Sequence, residues 1–126
     1  EGIENWNVSS LKNTYAMFYY AKAITELDLS GWQPTKLTDA RYMFGGCSNL
    51  QTIYASDLWT NASITSSGSM FAGCSKLVGG AGTKVSGTNA TNARIDIPAV
   101  KDEEGNVITP AVPGYLTHIN DKPVTE

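Results

Sequence analysis

The stretch Trp32…Leu37-Thr38-Asp39-Ala40-Arg41-Tyr42-Met43-Phe44-Gly45-Gly46-Cys47-Ser48-Asn49-Leu50 decides the fold, because the chain writes it three times. Upstream the same columns read Trp6…Leu11…Met17-Phe18…Ala21…Ile24, and downstream Trp59…Ile64…Met70-Phe71…Cys74…Leu77. Each Met follows its Trp by 11 residues, and successive copies are spaced by 26 and then 27, the extra residue falling near Asp57-Leu58. Matched columns at one fixed period are the signature of a repeat architecture.

Two periods alternate inside one unit. Leu37, Ala40, Met43 and Phe44 fall on one helical face, with Thr35 placed to cap the start and Gly45-Gly46 to end it. This predicts a short helix. Before Trp32, Leu27 and Leu29 alternate with Glu26, Asp28 and Ser30, which predicts a strand. The third copy loses that alternation in Val78-Gly79-Gly80-Ala81-Gly82, so its strand is expected to be poor. One short helix and one short strand cannot bury their apolar faces alone. Stacked units form a continuous core, with parallel strands on one side, helices on the other and the Trp column closing each corner.

The phrases Tyr42-Met43-Phe44-Gly45-Gly46-Cys47-Ser48-Asn49-Leu50 and Thr25-Glu26-Leu27-Asp28-Leu29-Ser30-Gly31-Trp32 resemble the BspA-type leucine-rich repeats of bacterial surface proteins. More narrowly, they resemble the subgroup first noted in mycoplasma lipoproteins. The resemblance covers roughly residues 3–80. Gly79 to Lys84, Thr91 to Asp96 and Pro113 to Thr117 are similar to the way such arrays finish, with residues 97–112 standing as an insertion. The expected architecture is α/β: a short leucine-rich-repeat-like right-handed solenoid of parallel strands plus short helices over residues 1–80, and a β-rich C-terminal cap over 81–126. Because repeat columns begin almost at Glu1, the chain is expected to be cut from a longer parent. The resemblance implies adhesion, with host extracellular or bacterial surface proteins as partners and a secreted or cell-surface location. A spacer that merely projects another domain is the alternative.

Within the cap, Ile95 and Ile97 alternate with Arg94 and Asp96, and Val107-Ile108 follow the acidic run Asp102-Glu103-Glu104-Gly105-Asn106. This reads as a hairpin with an acidic tip, followed by a last strand over Tyr115-Leu116-Thr117-His118-Ile119. The tip lacks the ligand spacing of a calcium loop, so no metal is expected there.

Composition narrows the chemistry. Hydrophobic residues make up 41% of the chain and charged residues 17%, too apolar for disorder, and no apolar run is long enough to span a membrane. Nine basic residues are scattered against 12 acidic ones, which argues against nucleic acid. Cys47 and Cys74 stand one repeat apart, and neighbouring strands about 4.8 Å apart do not exclude a disulfide. The same column holds Ala21, however, so the preferred reading is two small buried thiols. His118 is the only histidine, with no nucleophile motif to serve, and no phosphate-cradling glycine loop is present. No enzyme activity and no cofactor are expected.

Two groups remain as candidates for a partner-binding surface. Glu26 and Asp28 share one strand face with their counterparts Thr52 and Tyr54, a face that is either simply solvated or a ligand surface. Tyr19 and Tyr20 replace Gly45-Gly46 and Ala72-Gly73, either plugging the first unit's edge or offering contact area. The sequons at Asn7, Asn61 and Asn89 would go largely unused in a bacterial protein.

Overall fold

A computed structural model describes residues 2–123. Strand β1 (Glu26–Asp28) lies parallel to β2 (Thr52–Ala55), with Glu26 opposite Thr52, Leu27 opposite Ile53 and Asp28 opposite Tyr54. The offset equals the repeat period, so equal columns of the first two units sit side by side. Opposite the sheet, parallel bridges join Asn13 to Asp39 and Asp39 to Ser66, which repeats the same register at a second corner.

The expected helices are not there. From Ala40 to Cys47 the amides alternate between two destinations. Those of Ala40, Tyr42, Phe44 and Gly46 donate across to the carbonyls of Ser66, Gly68, Met70 and Ala72, at 2.7–3.1 Å. Those of Met43, Gly45 and Cys47 close three-residue turns onto Ala40, Tyr42 and Phe44. The first unit does the same toward the second: Thr14, Ala16, Phe18 and Tyr20 donate to Asp39, Arg41, Met43 and Gly45. A helix would consume these amides internally and leave the next unit unbound. The backbone forbids one in any case, because Ala16, Tyr42 and Ser69 in one column have φ of 55–58°, and Tyr20, Gly46 and Gly73 in another have 58–76°. Left-handed residues cannot continue a right-handed helix. Linked turns space apolar side chains much as a helix does, which is why the periodicity misleads.

Inside, Phe18, Phe44 and Phe71 stack with centroids 5.7 and 5.4 Å apart and planes within 17° of parallel. Tyr115 ends the stack edge-on against Phe71 at 5.0 Å. Each such aromatic contact adds about 1 kcal/mol beyond the area it buries. Leu27, Leu29, Leu37, Met43, Leu50, Ile53, Met70 and Leu77 fill the space around it and are buried. The tryptophans act as ties between separate segments: the indole N–H of buried Trp32 donates to Ile3 O at 2.7 Å, and that of Trp59 to Ala93 O at 2.8 Å. Trp6 is half exposed and stacks on Trp32.

The third unit makes no strand. Val78 donates to Gln51 O and then the chain turns back, with Gly79 bonded to Thr83 O. The third place in the sheet goes instead to β5 (Thr117–His118), which pairs parallel to β2 with Tyr54 opposite Thr117. This strand is shorter than the five residues expected, because a 3₁₀ turn begins at Ile119. Between them, β3 (Val100–Lys101) and β4 (Val107–Thr109) form an antiparallel hairpin around the Asp102–Asn106 tip.

The alternation around residue 95 is broken by one buried acid. Ile95 packs against the core, but Asp96 also turns inward and Ile97 is exposed. Its carboxylate accepts from Ala81 N, Thr83 N, Thr83 Oγ1 and Gly114 N at 2.7–3.2 Å, so it clasps the turn, the cap and the segment entering β5 together.

Candidate interaction surface

The strand-face candidates come together but do not form an open face. Glu26 is exposed, and Asp28 and Thr52 are partly buried. Tyr54 is only 3% exposed, and Lys122 comes back over its ring with the ammonium 5.3 Å from the centroid. Burial pushes the Tyr54 phenol above its ordinary value, and the negative charges of Glu26 and Asp28 add to this. Asp28 spends one carboxylate oxygen on Ser30 N at 2.9 Å, a local turn. On one side of Tyr54 a small cleft of about 250 Å³ runs between Ile3, Glu4 and Asp28; on the other an open groove of about 650 Å³ runs past Thr52, Lys76, Lys84 and Thr117. As a continuous ligand surface this face is interrupted by Lys122, whose return no strand pattern announces.

Tyr19 and Tyr20 are 46% and 56% exposed. Rather than plugging the first unit's outer edge, they lean downstream over the second unit. A Cβ added to Gly45 would stand 3.1 Å from Tyr19 Cδ1, and one added to Gly46 would stand 2.5 Å from Tyr20 Cδ1. The glycines therefore form a floor on which the rings lie. Two more tyrosines, unmarked by the sequence reading, complete the group. Tyr42 meets Tyr19 edge-on at 5.6 Å, and Tyr15 meets Tyr42 at the same distance. Tyr19 and Tyr20 are 4.4 Å apart. Interaction with the Tyr20 hydroxyl holds the Tyr19 phenol above its ordinary value, so that phenol is neutral at physiological pH.

Cations frame the cluster. Arg41 lies 5.1 Å over Tyr15, held by a two-pronged bond to Asp39, and Lys22 lies 5.5 Å over Tyr20. Tyr42 and Tyr20 sit at positive φ. In the Tyr20 column the other units carry Gly46 and Gly73, for which that conformation is free of strain. A bulky residue there costs about 1–2 kcal/mol of backbone strain. Tyr15, Tyr19 and Tyr20 stand close together in the sequence, but Tyr42 joins them only through stacking of units.

The titratable candidates have structural partners. Cys47 and Cys74 are free and buried, each Sγ donating at 3.1 Å to a carbonyl of the preceding unit, Phe18 O and Phe44 O. Burial pushes both thiols up, Cys74 to about 12, so they stay protonated at neutral pH. His118 Nδ1 accepts from Asn120 N, and Nε2 faces Asp57 Oδ1 at 3.0 Å, which ties the end of β5 to the second unit's loop. Asp102 turns its carboxylate inward onto Glu104 N and Asn106 N, closing the hairpin tip, and no metal-ligand cluster occurs among the described residues.

Fold and surface together define a protein of stacked repeat units whose first two units carry an exposed tyrosine cluster. The chain belongs to the family described as "Mycoplasma protein of unknown function, DUF285", whose model matches residues 1–82. No curated protein and no solved structure matches it. Among the described residues no helix is long and apolar enough to cross a membrane.

Proposed function

We propose that the chain forms a leucine-rich-repeat-like right-handed solenoid of BspA type with a β-rich cap, and that it serves as a non-catalytic protein-binding or adhesion module of a secreted or cell-surface bacterial protein. The observation that carries this reading is the cluster of Tyr15, Tyr19, Tyr20 and Tyr42, exposed on neighbouring units and flanked by Arg41 and Lys22. Tyrosine and arginine dominate binding hot spots because they bury much area at small entropic cost. The strain at Tyr20 supports the same reading. Glycine would satisfy the backbone there, so stability alone does not account for the ring.

A spacer with no ligand is the rival reading, and an evenly polar surface would favour it. Four clustered tyrosines favour the binding module instead. The partner class is host extracellular or bacterial surface protein, not nucleic acid. The test is an array of purified matrix and bacterial surface proteins probed with the chain and with its Tyr19→Ser/Tyr20→Gly variant. Capture that disappears in the variant supports the module; no capture by either, or capture that survives the change, overturns it.

A further inference from the structure

We propose that the groove between Tyr19, Tyr20 and Tyr42 takes a proline-rich partner segment in the polyproline II conformation, with an acidic residue of that segment lying against Lys22. This rests on the binding reading above and names the chemistry of its partner. The groove encloses about 350 Å³ and is lined by the three tyrosines and by Gly45, Gly46, Ala72 and Gly73.

Three observations select this occupant. The first is shape. The lining residues come from three successive units, which at sheet spacing step about 10 Å along the groove. One turn of polyproline II rises about 9 Å, so the lining spans about one turn. The second is polarity. The lining offers three phenols, the Lys22 ammonium and the Ser48 hydroxyl, and no carboxylate or side-chain amide. The amides of Gly45 and Gly46 are already used, on Tyr42 O and Ala72 O. Such a site gives hydrogen bonds more readily than it takes them. A polyproline backbone presents bare carbonyls and few N–H groups, which matches it. A sugar presents as many donors as acceptors and would leave its donors short of partners. The third is charge: Lys22 is the only charged group lining the groove, and it stands at one end beside Tyr20.

The test is a titration followed by amide NMR shifts of the whole chain. The probes are a synthetic polyproline peptide closed by two aspartates, its glycine-for-proline counterpart, and a chito-oligosaccharide. The proline peptide is expected to bind and to shift Gly45, Gly46 and Gly73, and the glycine peptide to bind at least about tenfold more weakly. In Tyr20→Gly/Tyr42→Gly, where glycine relaxes two left-handed positions, affinity is expected to fall by about tenfold or more. Should that variant fail to fold, exposed Lys22→Glu serves instead, weakening the aspartate-tailed peptide several-fold while leaving an uncharged proline peptide unchanged. No saturable shift with the proline peptide, equal binding of the glycine peptide, or preference for the oligosaccharide overturns the proposal. If the peptide fails while the tyrosine-dependent array capture persists, the binding module stands and only the proline-rich occupant falls.

Discussion

Tyr20 of the first unit reaches over Gly46 of the second, so close that a Cβ at residue 46 would stand 2.5 Å from its ring. The equivalent Gly73 has only Gly46 within reach, at 3.4 Å. Both glycines have φ of 76°, so alanine at either costs about 1–2 kcal/mol in backbone strain. Gly46→Ala must also displace Tyr20. Urea denaturation is expected to show it about 1 kcal/mol worse than Gly73→Ala. Equal losses would mean that the ring does not rest on the glycine.

Asp96 is expected to be the acid-sensitive point of the cap. Burial alone would raise its pKa, but hydrogen bonds from Thr83, Ala81 and Gly114 outweigh this and hold it below the usual 3.8. A lowered folded pKa means that the stabilisation is complete above about pH 4 and lost as pH falls through the folded value. Asp96→Asn turns one acceptor into a donor facing other donors, which costs about 2–3 kcal/mol at neutral pH. Chemical denaturation between pH 7 and pH 2 should show a smaller acid-dependent loss in the variant than in the parent.

The two thiols are expected to resist alkylation in the folded chain at pH 8 and to react on unfolding. Their stabilising contribution is complete below 9.0 and lost as pH rises, toward about 12 for Cys74. Cys47→Ala, which installs the residue that the first unit carries at Ala21, is expected to cost about 1 kcal/mol and leave the fold unchanged. Rapid labelling of native protein would contradict the burial.

Leu27 faces Ile53 in the heart of the parallel pair. Leu27→Asp puts an unpaired carboxylate into the shared core and is expected to cost at least about 3–5 kcal/mol. Circular dichroism and gel filtration of a well-folded Leu27→Asp protein would refute the stacked-unit architecture.

The hairpin carries little of the core. Val107 and Ile108 are 56% and 63% exposed, and the Ile97–Val112 bridge closes its base. Replacing residues 99–110 by a short Gly-Ser turn is expected to shift Tm by no more than about 4 °C. A larger drop would make the hairpin part of the structural cap rather than an appendage.

Much of the architecture was legible because stacking places equal columns over one another. Trp32, Met43, Phe44 and Leu50 were readable as core without knowing what lay beside them. The helix at Leu37–Phe44 was misread for a definite reason. Linked turns and a helix space apolar residues alike, and they differ in whether alternate amides stay local or cross to the next unit. Gly46 and Gly73 in one column were the available warning, since a recurring left-handed position is foreign to a helix.

The surface was less legible. The alternation of Glu26, Asp28, Thr52 and Tyr54 correctly placed them on one strand face, but Lys122 returns over Tyr54 from the far end of the chain. Tyr42 joins Tyr15 and Tyr19 only because one unit lies on the next.

By itself the sequence determined the period, the columns that face inward and the register between units, because identical units bury their apolar faces most fully when stacked in phase. Only the tertiary structure decided where the amides of each turn donate, which segment completes the sheet after the third unit fails to, and which tyrosines meet. Those depend on pairings between residues far apart in the chain, such as Tyr54 with Thr117, and local pattern carries no information about them.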